Sequence, residues 1–410
     1  MTGFHIEHFG CRAARADGEA IAGALRAAGQ SDGLAADVVI VNTCSVTAEA
    51  DRAARAYIRR AHRRNPAAKI VVTGCYAQRA PQELAAMAGV SAVVGNSHKA
   101  LAPEIVLELA RGAESVTSQS PSLIPVTSLL AASAPQSATD ATLAPIWADD
   151  RFAHSFIEDT PLASSEQTRP NLKIQEGCGN RCTFCVIPFT RGPSKSLPYA
   201  VVMRRVEEFV AAGGKELVLS GINLGRFSSG FGRETLAGLV RDILEKTALP
   251  RLRLSSIEPM DWNEELIALM REFGGLRLAR HAHLPLQSGS DAVLRRMHRR
   301  YRPWHYAEKV DALLRATGPA LTLGADVMVG FPGETESEFA ETVTFIRALP
   351  FGYLHLFPFS PRPGTRGWEL HAAAPIPARV VEERMAVLRA LAAEKSAAHR
   401  RQFVGRTLQA

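Results

Sequence analysis

Apolar residues in the first hundred positions fall into short runs separated by longer stretches with helical spacing. The runs are 4–9, 37–41 and 69–72, with a shorter one at 92–94. The second and third, DVVIV and KIVV, are nearly unbroken, as strands buried on both faces tend to be. Between the runs, 16–28, 47–64 and 81–88 repeat apolar residues at helical spacing. Strands alternating with helices predict a parallel sheet.

From 101 the pattern stops. The stretch SVTSQSPSLIPVTSLLAASAPQSATDATLAP is rich in Ser, Ala and Pro and aperiodic, so 101–168 reads as a linker with a short packed piece near 147–156. The alternation resumes at 171. Runs at 172–175, 216–220, 251–255, 281–286, 321–329 and 353–359 predict six strands. Helical spacing at 199–212, 236–246, 264–272, 291–297, 304–316 and 336–348 predicts the intervening helices, and 378–403 reads as one long final helix. Six such units fit a partial (βα)6 barrel or an open parallel sheet. The expected class is α/β: a parallel-sheet domain at 1–100, the linker at 101–168, a second α/β domain at 169–377 and a helix with a tail at 378–410.

Composition adds bounds. With 46% hydrophobic and 22% charged residues, the chain is not disordered throughout. A net charge of +7 permits a polyanionic partner without requiring one. The longest uncharged stretch, 115–139, is interrupted by Pro121, Pro125 and Pro135, so no membrane span is expected. The opening MTGFHIEHFGC has no basic region followed by an apolar core, which predicts a cytoplasmic chain with reduced thiols. Six cysteines are then better read as metal ligands or catalytic thiols than as three disulfides.

The cysteines form two constellations. Cys178, Cys182 and Cys185 make a C-x3-C-x2-C loop after a predicted strand. Three thiolates on so short a loop suit three corners of a polynuclear centre, and a [4Fe–4S] cluster with three protein ligands keeps one iron open. A closed zinc site needs a fourth ligand, which no nearby His or Cys supplies. A C-x-x-C redox pair leaves Cys178 without a role. The other three, Cys11, Cys44 and Cys75, each follow a predicted strand, in HFGC, VNTC and VTGC. Parallel strands end on one edge of their sheet, so three such cysteines can converge there. Each alone also fits a small buried apolar residue. Together they point to a second three-thiolate cluster, with Gly10 and Gly74 allowing close backbone approach.

With Phe184 before its last cysteine, the 178–185 loop resembles the radical S-adenosylmethionine signature. Together with Cys11, Cys44 and Cys75, the chain resembles the methylthiotransferases, which carry two [4Fe–4S] clusters. Further marks are NTCSVTAEAD, VVTGCYAQ, SGINLG, LSSIEP, HLPLQSGSD, DVMVGFPGETE and FSPRPGT. The residues after Cys44, Ser45-Val46-Thr47, resemble the branch acting on threonylcarbamoyladenosine in tRNA. The other branches act on isopentenyladenosine in tRNA or on a ribosomal protein. There are two departures. Ala14 stands where the family often has Asn, and the C-terminal β-barrel RNA-binding domain usual in the family has no counterpart before Gln409-Ala410.

The resemblance implies a radical SAM partial barrel and S-adenosylmethionine on the open iron of the Cys178/Cys182/Cys185 cluster. It also implies a 5′-deoxyadenosyl radical that removes hydrogen from C2 of the modified adenine. The Cys11/Cys44/Cys75 cluster then carries the methylthio group, and both clusters face one cavity. Candidate cofactor contacts are Phe184, Gly221, Asn223, Ser256, Glu258, Gln287 and Asp326; Ser290 reads as a helix N-cap and Gly330–Gly333 as a tight turn. Candidate RNA contacts are Arg52, Arg55, Arg59, Arg60, Arg63 and Arg64 on one helix, with Arg295, Arg296, Arg299 and Arg300 as a second group. The implied partners are the anticodon loop of tRNA, an electron donor such as flavodoxin or ferredoxin, and a sulfur source, for a monomeric enzyme. A non-catalytic iron–sulfur RNA-binding protein is the alternative outside catalysis.

Overall fold

The computed structural model describes residues 3–33, 36–111, 143–152, 157, 168–230 and 234–407. The chain divides into two compact units. One comprises Met1–Ala163, Glu176–Gly179 and Val186–Lys195, the other Ser164–Gln175, Asn180–Cys185 and Ser196–Ala410.

The first unit is built on a wholly parallel sheet in the order β2-β1-β3-β4-β5-β6. Its strands are β1 (Gly3–His8), β2 (Ser31–Asp32), β3 (Val38–Thr43), β4 (Lys69–Gly74), β5 (Val90–Gly95) and β6 (Ile146–Trp147). The runs DVVIV and KIVV are unbroken because both faces of β3 and β4 are covered. Ile40, Val71 and Val94 pack with Ile21 and Leu25 of α1 (Arg12–Ala27) and with Ile105 and Val106 of α5 (Ala102–Ala110). Their neighbours Val41, Val72 and Val93 pack on the opposite side with Ala54 and Ile58 of α2 (Ala48–Arg64). Tyr76 of α3 (Cys75–Arg79) and Leu84 of α4 (Pro81–Ala85) complete that face. Each such side chain, fully buried, stabilises the fold by about 1.5–3 kcal/mol.

The linker expected from 101 begins later than the composition implies. Residues Ala102–Ala110 form α5, with Pro103 in its first turn and Ile105, Val106 and Leu109 in the core of the sheet. Packing against β-strands, not composition, decides that segment. The short packed piece is edge strand β6, with Trp147 2% exposed. Residues 112–142, 153–156 and 158–167 of the predicted linker lie outside the described residues.

The second unit carries β7 (Asn171–Glu176) up to Gln175, β8 (Lys195–Ser196) from Ser196, β9 (Glu216–Gly221), a small antiparallel pair β10 (Ser228–Ser229) and β11 (Glu234–Thr235), then β12 (Arg251–Leu254), β13 (His281–His283), β14 (Thr322–Val329) and β15 (Phe351–Pro358). Two sheets, β12-β9-β7-β8 and β13-β14-β15, are joined by parallel bridges Leu252↔Leu278 and Ser256↔His283. The six principal strands therefore follow one another in sequence order, β7-β9-β12-β13-β14-β15, all parallel, with helices between. That is the succession of a partial (βα)6 barrel. The predicted strand at 281–286 is shorter, His281–His283. The last helix, Ala378–Arg401, runs along β15. No helix among the described residues is long and apolar enough to cross a membrane.

Candidate active site

In the first unit, β1, β3 and β4 are adjacent, with His8 paired to Asn42 and Thr43 to Gly74. Cys11, Cys44 and Cys75 follow these strands and so share one edge of the sheet. Gly10 has φ +123°, and a Cβ there would lie 2.7 Å from Cys44 Cβ. Gly74 has φ +99°, with Thr43 backbone where its Cβ would point. Both glycines thus let the backbone turn tightly between a strand and its cysteine. Cys44 and Cys75 are buried and Cys11 is exposed. Burial, then the neighbouring Cys75, and more weakly Cys11, push the Cys44 thiol up to about 12.

A buried arginine faces this trio. Arg191 ends α6 (Ile187–Arg191) and is 1% exposed. Its Nε donates to Cys75 Sγ at 3.3 Å, and its Nη1 donates to Asp17 Oδ2 at 2.9 Å and Glu176 Oε1 at 2.8 Å. Lys99 Nζ donates to the other oxygens of the same two carboxylates, at 2.9 and 2.6 Å. Burial alone would lower the guanidinium's pKa. Cys75, Glu176 and Asp17 reverse that and hold it well above its ordinary value. Asn96 Nδ2 donates to Cys75 Sγ at 3.4 Å and to Thr190 O at 2.8 Å. The remaining nitrogen of the fork, Arg191 Nη2, is buried without a hydrogen-bond partner among the described residues. Three thiols, a fixed cation and an orphaned donor fit an anionic iron–sulfur group. A metal replacing the thiol protons also removes the cost of ionising Cys44.

Of the loop cysteines, Cys178 belongs to the first unit and Cys182 and Cys185 to the second; all three are half-buried. Cys178 N donates to Gly192 O at 3.1 Å, and Cys185 N to Cys182 O at 3.1 Å. Thr183 N and Oγ1 donate to Met297 O and Arg296 O, tying the loop to the end of the helix Asp291–Arg296. Arg299 Nη1 donates to Cys182 Sγ at 3.0 Å, and its Nη2 reaches both oxygens of Glu258 at 2.7 and 2.6 Å. The donor set, three cysteines with one thiol already facing a cation, fits a [4Fe–4S] cluster with an open iron.

The other predicted cofactor residues divide. Gln287 takes φ +63°, is 7% exposed, and its Oε1 is buried without a partner among the described residues, so it is the residue of this set most in want of a ligand. Phe184 is half-buried beside Gly367, whose N donates to Thr183 O at 2.6 Å. Ser256 bridges His283 through its backbone. Gly221 makes room for Gln175, and Gln175 Oε1 accepts from Asn223 N at 2.6 Å. Glu258 is clasped by Arg299, and both oxygens of Asp326 face histidines. Ser290 occupies an N-cap position, but its hydroxyl makes no cap bond. Gly330 and Gly333 take φ +75° and +72°, forming the predicted turn around buried Phe331.

Residues 3–95 match a family described only as the uncharacterized protein family UPF0004, and 172–346 match the radical SAM superfamily. A Bacillus subtilis protein named threonylcarbamoyladenosine tRNA methylthiotransferase is 36% identical over 80% of this chain and 66% of its own length, so the chain spans just under two thirds of that relative. An Erythrobacter litoralis protein named tRNA-2-methylthio-N(6)-dimethylallyladenosine synthase is 33% identical over 99% of this chain and 85% of its own. The chain belongs to the radical SAM methylthiotransferase family. A solved radical S-adenosylmethionine methyltransferase from Kitasatospora setae shares the fold, with a TM-score of 0.58 at 16% identity over 87% of this chain and 72% of that one.

Within this methylthiotransferase, the residues after Cys44 have visible structural tasks. Ser45 is fully buried and its Oγ accepts from Arg79 Nε at 2.6 Å, while Arg79 Nη2 holds Asp51 Oδ2 at 2.9 Å. Thr47 caps α2, its side chain accepting from Ala50 N at 3.2 Å. Val46 between them is 48% exposed. The predicted RNA helix is α2, where Arg52, Arg59, Arg60, Arg63 and Arg64 are exposed. Arg55 departs from the set, because it donates to Tyr76 Oη and to Glu83 Oε1. The second basic group is corrected more strongly. Arg299 is buried on Cys182 and Glu258, and Arg296 is clasped by both oxygens of Glu338. Sequence reasoning missed Arg191, Lys99 and Glu176 altogether. The only early signal is that Glu176 and Arg191 flank the Cys178–Cys185 segment; nothing in the sequence marks Lys99.

Proposed function

We propose that this methylthiotransferase inserts a methylthio group at C2 of N6-threonylcarbamoyladenosine at position 37 of tRNA, beside the anticodon. The observation that carries the reading is the gathering of three strand-end cysteines around buried Arg191, in a chain that also has the C-x3-C-x2-C loop. When bound, a [4Fe–4S] cluster with S-adenosylmethionine at Cys178/Cys182/Cys185 supplies hydrogen abstraction from the adenine, and a second cluster at Cys11/Cys44/Cys75 supplies the sulfur. The protein's part is to hold and orient. Arg191 and Asn96 fix Cys75 and give its sulfur a positive, water-free surrounding. Arg299, braced by Glu258, sets a guanidinium on the sulfur of half-buried Cys182. Gln287 offers a carbonyl that has no partner among the described residues, and Phe184 an apolar ring, to the cofactor. The exposed arginines of α2 offer charge to the RNA backbone.

The substrate branch rests on Ser45-Val46-Thr47. A second reading moves the same chemistry to dimethylallyladenosine in tRNA, and the Erythrobacter relative favours it. Nucleoside mass spectrometry of tRNA from a strain lacking this gene tests both. The first reading expects loss of the methylthio form of threonylcarbamoyladenosine, with the dimethylallyl form unchanged. The reverse pattern selects the second reading.

A further inference from the structure

Three side chains on β13, β14 and β15 gather on one face of their sheet. His283 Nε2 lies 3.1 Å from Asp326 Oδ2, and His355 Nδ1 lies 3.3 Å from Asp326 Oδ1. One ligand atom from each residue falls within 4.8 Å of the other two. The strands create this meeting. Asp326 pairs directly with His355, and His283 pairs with Gly324, two residues before Asp326. Successive side chains alternate across a strand, so buried Leu323, Ala325, Val327 and Val329 take one face and leave Gly324 and Asp326 on the other. Gly324 carries no side chain where the Tyr353 ring lies across the sheet. The Tyr353 hydroxyl is thereby set 2.9 Å from His283 Nδ1 and 2.8 Å from His281 Nε2.

We propose that His283, Asp326 and His355 form a binding site for one divalent first-row cation of the Zn(II) class. Two imidazoles and a carboxylate are a donor set that such ions take, and three ligands leave a position open to an outside oxygen donor. Tyr353 supplies the outer support. A phenol has one proton, so it donates to one imidazole and accepts from the other. When His283 Nδ1–H donates to Tyr353 and Tyr353 donates to His281, the lone pair of His283 Nε2 faces the Asp326 carboxylate. A lone pair and a carboxylate at 3.1 Å repel unless a cation or a proton stands between them. An imidazole oriented through its far nitrogen is also the usual arrangement of a metal-bound histidine. The His355 side chain is 64% exposed and gives an ion its way in. Asp326 then serves a cation instead of the cofactor pocket.

The test uses cluster-loaded protein, freed of loosely held metal on a chelating resin and titrated anaerobically with Zn(II) while iron is counted. The site predicts one Zn(II) per chain with no loss of iron, and an X-ray absorption first shell of nitrogen and oxygen with imidazole scattering and no sulfur. His355→Ala, at a largely exposed position, weakens binding at least about tenfold, and Tyr353→Phe weakens it by about ten- to a hundredfold. No uptake, a zinc–sulfur shell, or unchanged affinity in His355→Ala overturns the assignment.

Discussion

Two buried arginines, one in each unit, solve the same problem differently. Arg191 and Arg299 are 1% and 6% exposed, each donates to a cysteine sulfur, and each is braced by carboxylate. Arg299 has a single brace, Glu258, whose side chain is 21% exposed. Arg191 has two, Asp17 and Glu176, both nearly inaccessible and both shared with Lys99. The four charges Asp17, Glu176, Lys99 and Arg191 cancel among themselves, yet one guanidinium nitrogen stays unpaired among the described residues. A buried charge costs several kcal/mol unless it is fully met. The Cys75 side therefore depends on a completing ligand more than the Cys182 side does.

The largest effect expected is the separation of the two trios. Replacing Cys178, Cys182 and Cys185 with Ala should remove half of about eight irons per chain, the content of two [4Fe–4S] clusters, and all cleavage of S-adenosylmethionine. Replacing Cys11, Cys44 and Cys75 should remove the other half, spare cofactor cleavage and abolish methylthio transfer. Iron analysis together with 5′-deoxyadenosine and nucleoside assays reads both outcomes. Equal loss of both activities in folded protein would break the division.

The arginines themselves come next. Arg191→Gln leaves two buried carboxylates with only the single charge of Lys99 between them and should cost about 3–5 kcal/mol in metal-free protein, as breaking a buried pair does. Arg299→Gln leaves Glu258 able to reach water, and should cost about 1–3 kcal/mol. Urea unfolding of the two variants measures the gap. Arg191→Lys should recover part of the charge but not the fork that spans Cys75, Asp17 and Glu176. Equal costs for the two Gln variants would mean that the second brace adds nothing.

A smaller, pH-dependent effect isolates Cys44. Its folded pKa, about 12, lies above the ordinary thiol value of 9.0, so the folded state keeps its proton while the unfolded chain loses one. Stability of the metal-free protein should be complete below pH 9 and fall above it, by about 1.4 kcal/mol per pH unit until the folded thiol titrates. Denaturant midpoints at pH 8 and pH 10 show the slope, and Cys44→Ala should reduce it, leaving the part owed to the buried tyrosines, whose folded pKa values are also raised.

What the sequence could and could not reveal follows from the range of the interactions. Strand ends are local, so HFGC, VNTC and VTGC already place three cysteines on one edge, and DVVIV announces a doubly covered strand. The brace around Arg191 joins Asp17, Lys99, Glu176 and Arg191, residues up to 174 positions apart, and no periodicity connects them. Arg299 escapes the sequence for a related reason. It stands among surface arginines, and only the fold turns it inward onto Cys182. The helix Ala102–Ala110 is hidden by the composition around it, although the spacing of Ile105, Val106 and Leu109 carries it.

Arginines on α2 are the control for both buried ones, because they touch no thiol. Arg52, Arg59, Arg60, Arg63 and Arg64 are exposed, and any attraction they exert on RNA is offset by no desolvation within the fold. Replacing Arg59 and Arg63 with Ala should leave stability within about 0.5 kcal/mol. The same change should weaken tRNA binding uniformly and lower the slope of log affinity against log salt by about 1 for each phosphate that is no longer neutralised. Filter binding across a salt series, with unmodified and modified anticodon stems, measures it. An unchanged slope would assign α2 to solvent and leave RNA attraction to other parts of the surface. A slope change accompanied by iron loss would instead show that the helix supports the Cys44 loop it follows, through the Thr47 cap at its start.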